Sequence, residues 1–301
     1  MCNKRKRVLI LCGGGIYGEL PARFLSMLPP DQQNLDKVDM LSGCSIGAIL
    51  VAAYAAGHSF TEVEAQFQKR AADCFDKRFM ARISPLACPV YATDSLDVVL
   101  KDMIGDETIG DVRKRYPNLD ILMPALNLTD DAYKVYDNIS PQDCNILLRD
   151  AAADSAAAPS YYEGRDRNGK CMVDGGLIEV APLLTTTTAL KAKRGVEFQD
   201  MDVLMLGTGR DVDDKPMTTK RYNGLTMLGL ATDVIVPYVT LSNEMATRYW
   251  GKHIGYHSFN YFNPCLTNGE MDDVSQIPEL VEKADGFRQE FLAAWDSWMN
   301  A

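Results

Sequence analysis

Val38-Asp39-Met40-Leu41-Ser42-Gly43-Cys44-Ser45-Ile46-Gly47-Ala48 is the stretch on which the fold turns. A short apolar strand, Val38 to Leu41, runs into Gly-x-Ser-x-Gly. A helix of small residues, Ile46 to Ala56, follows at once and is closed by Gly57. A turn this tight between strand and helix leaves room only for glycine at Gly43 and Gly47. It lifts Ser45 out at the carboxyl end of a sheet, where the amides opening the helix help to activate its hydroxyl. That layout is a nucleophile elbow. The plain alternative is a structural turn with Ser45 as a helix N-cap.

Outward from the elbow, strands and helices alternate. Arg7 to Cys12 reads as a short buried strand stopped by glycine, and Gly18 to Met27 as a helix ended by Pro29-Pro30. Downstream, Thr61-x-x-Glu64 reads as a capping box for a helix reaching about Cys74, and Asp94 to Ile104 as another helix. Ile121 to Leu128 and Ala132 to Tyr136 read as strands around a Thr-Asp-Asp turn, followed by a helix from Asp143 to Ala153. Cys171 to Val173 is a short strand before Asp174-Gly175-Gly176, Pro182 to Lys193 a helix, and Val203 to Leu206 a strand ended by Gly207-Thr208-Gly209. Helices over Leu225 to Trp250 and Ile277 to Met299 flank an aromatic strand, His257 to Phe262. This alternation predicts a three-layer α/β fold, a central and mainly parallel sheet between helices, in a single domain over residues 1–301. Sites in such sheets form at the carboxyl ends of strands, where three glycine-rich turns fall.

Composition narrows the function. Apolar residues make up 47% and charged residues 24%, the balance of a water-soluble globular chain. A net charge of -10 argues against a nucleic-acid partner and against purely electrostatic docking on anionic lipid. The eight cysteines are scattered with no CxxC pair, which fits reduced thiols in a cytosolic protein and no metal site. The basic cluster Asn3 to Arg7 precedes an apolar run too short for a signal-peptide core, and reads as a solvated strand edge. The most apolar long segment, Leu225 to Leu241, is interrupted by Asp233 and Pro237, so it reads as a core helix or a lid rather than a membrane span. Phe287, Phe291, Trp295 and Trp298 recur at helical spacing and read as core.

Gly13-Gly14-Gly15-Ile16-Tyr17-Gly18 satisfies G-x-G-x-x-G after a strand, so a dinucleotide site is one reading. That reading also wants an acidic residue at the end of the second strand, where this chain has Ser42-Gly43 instead. The other use of bare amides at such a loop is to hold an oxyanion. A serine nucleophile needs a base, and the chain has three histidines. His58 lies past the far end of the elbow helix, and His253 and His257 lack a Gly-His loop after a strand, so all three read as structural or surface residues. The remaining candidate is a carboxylate: Asp174 directly follows a strand, although alone it reads as a plain Asp-Gly turn.

Taken together, five segments in order resemble the patatin-like phospholipase family: Gly13 to Gly18, Gly43 to Gly47, Ser155-Ala156-Ala157-Ala158-Pro159-Ser160-Tyr161-Tyr162, Asp174-Gly175-Gly176-Leu177, and Leu204 to Gly209. The resemblance spans residues 8 to about 210 and is fainter over Asn263 to Asp285, around Met271-Asp272-Asp273. Tyr17, Cys12 and Val180-Ala181 stand where the family pattern has Arg, Asp and Asn-Asn. The resemblance implies a Ser-Asp dyad without histidine, with Ser45 as nucleophile and Asp174 as base. It implies Gly13, Gly14 and Gly15 as the oxyanion hole, Gly43 and Gly47 as the elbow, and Gly18, Gly175 and Gly176 in support. No metal or organic cofactor is implied. The expected activity is a lipid acyl hydrolase of phospholipase A or lysophospholipase type, acting on phospholipid or lysophospholipid in transient contact with a membrane surface. The expected location is cytoplasmic or peripheral to a membrane. The competing readings are a dinucleotide-binding Rossmann-type protein and a non-catalytic, lipid-sensing relative. Some bacterial members of the family are nucleotide-activated effectors; no activator site is visible in this sequence.

Overall fold

Strand β1 (Lys6–Leu11) is the axis on which the layers are built. Its side chains alternate: Leu9 and Leu11 enter one apolar cluster, Val8 and Ile10 the other, and all four are fully buried. A strand apolar on both faces needs cover on both, which is the condition for a parallel sheet between helices. The computed structural model describes residues 5–74, 91–159, 161–211, 236–266 and 272–301.

A 3-10 turn (Gly15–Gly18) leads from β1 into α1 (Glu19–Ser26), followed by β2 (Met40–Gly43), α2 (Ile46–Ala55), α3 (Phe60–Cys74), α4 (Thr93–Ile104) and α5 (Ile109–Arg115). Next come β3 (Asp120–Asn127), β4 (Ala132–Asp137), α6 (Leu148–Ser155), β5 (Arg165–Arg167) and β6 (Lys170–Asp174). The chain continues through α7 (Gly176–Glu179), α8 (Leu183–Arg194), β7 (Met201–Leu206), β8 (Arg210–Asp211), α9 (Val236–His253), β9 (Ser258–Phe262) and β10 (Cys265–Leu266). It ends in α10 (Ile277–Gly286) and α11 (Arg288–Met299). The main sheet runs β5-β6-β3-β2-β1-β7-β9, with β4 on β3; β8 and β10 form a small separate pair. Neighbours from β3 across to β9 are parallel, so the α/β layering expected from the sequence holds, while β4 and β6 run antiparallel to β3 and β5 antiparallel to β6.

The antiparallel strands matter because of how β3 is shared. One edge of β3 pairs residues 122–127 with β4. The other edge pairs its first residues with β2, Ser42 opposite Leu122, and its last with β6, Asp174 opposite Ala125. Two strands thus meet end to end along one edge. Asp174 occupies the register that residue 45 would reach if β2 ran straight on. Pro124 sits at the junction, its carbonyl toward Gly175, where a missing N–H costs no ladder bond.

Several local expectations shift. The capping box lies two residues earlier than Thr61-Glu64: Glu62 accepts from the Ser59 amide at 2.8 Å, and the Ser59 hydroxyl accepts from the Glu62 amide at 3.2 Å. Thr61 instead donates to Gln33 at 2.5 Å. α5, with its own Thr108–Asp111 capping box, was not expected from the sequence. The C-terminal helix is two helices broken at Phe287; Phe291, Trp295 and Trp298 are core as read, and Phe287 packs partly buried against them. The helix expected from Asp143 begins only at Leu148, after a 3-10 turn at Pro141–Asp143. The start of β1 is neutralised, with Lys6 and the Arg7 amide both held by Asp39. Most of the apolar segment 225–241, and Met271, lie outside the described residues. Asp272 accepts a hydrogen bond from Tyr91.

Candidate active site

Ser45 stands between β2 and α2 with φ 56° and ψ −124°, a conformation rare for any residue with a side chain. The glycines beside it are there for contact. A Cβ on Gly43 would lie 2.4 Å from the Gly47 carbonyl oxygen, and one on Gly47 would lie 2.2 Å from that of Leu11 on β1. α2 behind the serine is buried along its whole length, so the turn cannot relax outward. The Ser45 amide donates to the Ser155 hydroxyl at 3.2 Å, and Ser45 itself stays partly exposed. Gly18 lets the first loop settle on this helix, since a Cβ there would lie 2.4 Å from Ile46.

Asp174 ends β6 and is 5% exposed. The Ser45 hydroxyl lies beside its carboxylate. Its Oδ1 also accepts from the Gly176 amide at 2.7 Å and the Cys44 thiol at 3.7 Å. Its own amide donates to the Ala157 carbonyl at 3.0 Å. Burial pushes the Asp174 carboxyl up to about 6, and the polar contacts with Ser45, Gly176 and Cys44 oppose that rise. Burial, together with the neighbouring Asp174 charge, holds the Cys44 thiol well above its ordinary value, so it is a neutral donor and no rival nucleophile. Gly175 passes close to β3, where a Cβ would lie 2.5 Å from the Pro124 oxygen.

The first glycine loop lies on the other side of Ser45. A Cβ on Gly13 would be 3.1 Å from that of Ser45. The Gly13 N–H, however, donates to the Val180 carbonyl at 2.9 Å. It is therefore spent, and the amides open for an oxyanion narrow from Gly13, Gly14 and Gly15 to the last two. No described residue accepts the Gly14 or Gly15 N–H. Gly14 has φ +153°, and a Cβ on it would fall 2.3 Å from the Thr208 hydroxyl. The glycines thus admit the chain's own Ser45 and Thr208.

The departures from the family pattern are accommodated by other contacts. Val180 serves through its carbonyl, and its side chain packs against Gly13 and Gly176. Cys12 is buried against the Tyr261 hydroxyl, and burial pushes its thiol up to about 12. Tyr17 donates to Gln276 at 3.2 Å. The histidines are placed elsewhere. His257 pairs with Asp202 at 2.7 Å, near the start of β7 and so at the opposite end of the sheet from the elbow. His253 bonds the Tyr249 carbonyl at the last turn of α9, and His58 follows the far end of α2. Among the described residues no cluster of three His, Cys, Asp or Glu could hold a metal. Ser155 was legible only as part of a matching segment and Cys44 only as the x of a motif; nothing local marked either as a partner of Ser45 or Asp174.

Comparison with known proteins gives the family. The chain is 29% identical over 302 residues to a cGAMP-activated phospholipase of Escherichia coli, covering 90% of this chain and 83% of that one. It is 26% identical to a cGAMP-activated phospholipase of Vibrio cholerae, covering 79% and 75%. Human GIVD cytosolic phospholipase A2 aligns loosely, with a TM-score of 0.47 and 11% identity over 99% of this chain and 60% of its own. The family model for patatin-like phospholipase matches residues 9–186, more than half the chain and all of both strands that meet on β3. With the elbow, the aspartate turn and the glycine loop gathered at one end of its sheet, the chain belongs to the patatin-like phospholipase family.

Proposed function

We propose that this protein hydrolyses carboxylic esters of phospholipids or lysophospholipids through Ser45 and Asp174. The closeness of the Ser45 hydroxyl to a buried carboxylate carries this reading. Asp174 takes the proton as the Ser45 oxygen attacks the ester carbonyl, and the Gly14 and Gly15 amides receive the charge that develops on the carbonyl oxygen. The ester oxygen leaves as an alcohol, taking the proton, and an acyl-serine remains. Water, deprotonated by Asp174, then cleaves it to fatty acid and free Ser45. A carboxyl titrating near 6 is largely ionised at neutral pH yet still basic enough to accept a proton. Leu177 and Ile178, on the short helix directly after Asp174, are 41% and 50% exposed, which suits an acyl substrate and transient contact with a lipid surface. No helix among the described residues is long and apolar enough to cross a membrane.

The test is fatty-acid release from phospholipid vesicles and from p-nitrophenyl acyl esters. Ser45→Ala and Asp174→Asn are each expected to lose at least ~10³-fold in kcat with folding intact. Either variant retaining more than a tenth of the activity would overturn the dyad. Two relatives are named for activation by cGAMP, and this supports a second reading in which a cyclic dinucleotide switches on the same hydrolysis. Assays with and without cGAMP decide it; equal rates would remove it.

A further inference from the structure

Both peptide groups of Gly13 are held from outside the loop. The Cys12–Gly13 peptide gives its N–H to Val180, and the Gly13–Gly14 peptide gives its carbonyl to the Thr208 hydroxyl at 2.7 Å. In a trans peptide the C=O and the following N–H point in opposite directions. The sheet order sets what those directions mean. β1 lies between β2, which leads to Ser45, and β7, which leads to Thr208. A Gly13 carbonyl drawn to the β7 side turns the Gly14 N–H to the β2 side, where Ser45 stands. No described residue accepts that N–H.

Thr208 is itself fixed. The Gly207 amide donates to the Phe262 carbonyl at 2.9 Å, and the Gly209 amide to the Asn263 side chain at 2.8 Å. A Cβ on Gly207 would lie 2.2 Å from Asn263, so the turn is clamped against the end of β9. A hydroxyl on a rigid turn has one geometry to offer, which preorganises what it holds.

We propose that Thr208 is a positioning residue for the oxyanion hole, aiming the Gly14 N–H at the reacting carbonyl by gripping the opposite end of its peptide. The inference rests on the ester-hydrolase reading of Ser45 and deepens it. Thr208 touches no reacting atom. Its loss leaves ground-state substrate binding alone and weakens the interaction made only with the tetrahedral state.

The experiment compares Thr208→Val, Thr208→Ser and wild type as full chains. Readouts are kcat and KM on a p-nitrophenyl ester, and affinity for two probes. One is an alkyl trifluoromethyl ketone, which adds the Ser45 oxygen and places an oxyanion in the hole. The other is a non-hydrolysable ether lipid, which does not. Thr208→Val is expected to lower kcat about 10- to 100-fold, with KM within about twofold. Ketone affinity should fall by the same factor and ether-lipid affinity should not move. Thr208→Ser should restore most of the rate. Unchanged kcat and ketone affinity in Thr208→Val would overturn the proposal. So would a parallel loss for both probes, or equal losses in the serine variant. Should Thr208→Val fail to fold, Thr208→Ala, which adds no atoms, carries the same comparison. Ser45→Ala in the same assay separates the two claims. An active Ser45→Ala ends the hydrolase reading, whereas an inactive one beside a wild-type-like Thr208→Val ends only the role given to Thr208.

Discussion

Strands β1, β2 and β7 run parallel, and each ends in one of the glycine turns; β6 runs against them and ends in Asp174. The parallel region delivers the proposed nucleophile and amides from segments whose local pattern announces them. The antiparallel region delivers the proposed base from a segment that reads as an ordinary turn. Its value arises only where β6 meets β2 along one edge of β3. Parallel strands make a platform; a strand coming from the other direction can close on it, bringing a group down onto the serine.

The comparison breaks first at the elbow. Gly47→Ala places a Cβ 2.2 Å from backbone that cannot yield, and is expected to cost ~3 kcal/mol or more of stability, read by denaturant unfolding. An alanine variant as stable as wild type would show that the parallel platform is less tightly set than the contact demands.

The second test falls on Asp174 and has two halves. The rate wants the carboxylate ionised, so kcat/KM should rise with pH along a midpoint near 6. Stability runs the other way. The folded carboxyl titrates at about 6 against an ordinary 3.8, so the fold prefers it protonated. That preference is fully present below the ordinary value and is lost as pH rises through the folded one, by up to ~3 kcal/mol. Asp174→Asn should therefore melt above wild type at pH 8 and converge with it near pH 4, while being inactive throughout. A variant that melts below wild type at pH 8 would mean that the polar contacts with Ser45 and Gly176 outweigh the burial.

The smallest effect is expected at the outer rim of the antiparallel region. Lys170 and Asp130 form an exposed ion pair between β6 and the β3–β4 turn. Lys170→Ala should change stability by no more than ~0.5 kcal/mol, measured at low and high salt. A larger loss would mean that the rim, as well as the core, holds β6 in register.

What the sequence made legible follows the same division. β1, the elbow, the Asp174 turn and the Gly207 turn were readable because each is a local event: an apolar run, then a residue that only a tight turn needs. The core role of Phe291, Trp295 and Trp298 was readable from spacing. The sharing of β3 was not, because Ala125 and Asp174 are far apart in the chain and their pairing leaves no mark on either segment. The Ser59–Glu62 box lost to Thr61–Glu64 because both satisfy the same pattern and only packing selects between them. The Gly13 amide was counted as an oxyanion donor because nothing in Gly-Gly-Gly reveals that Val180 already holds it.

That hold on Gly13 has a consequence for how such chains diverge. The grip is made by the peptide oxygen of Val180, which every amino acid carries. What the loop still filters at position 180 is bulk, because the side chain packs against Gly13 and Gly176, so polar and aliphatic residues of valine's size are both admitted there. A lineage can lose its recognisable signature at such a place while the machinery built on it stays in working order.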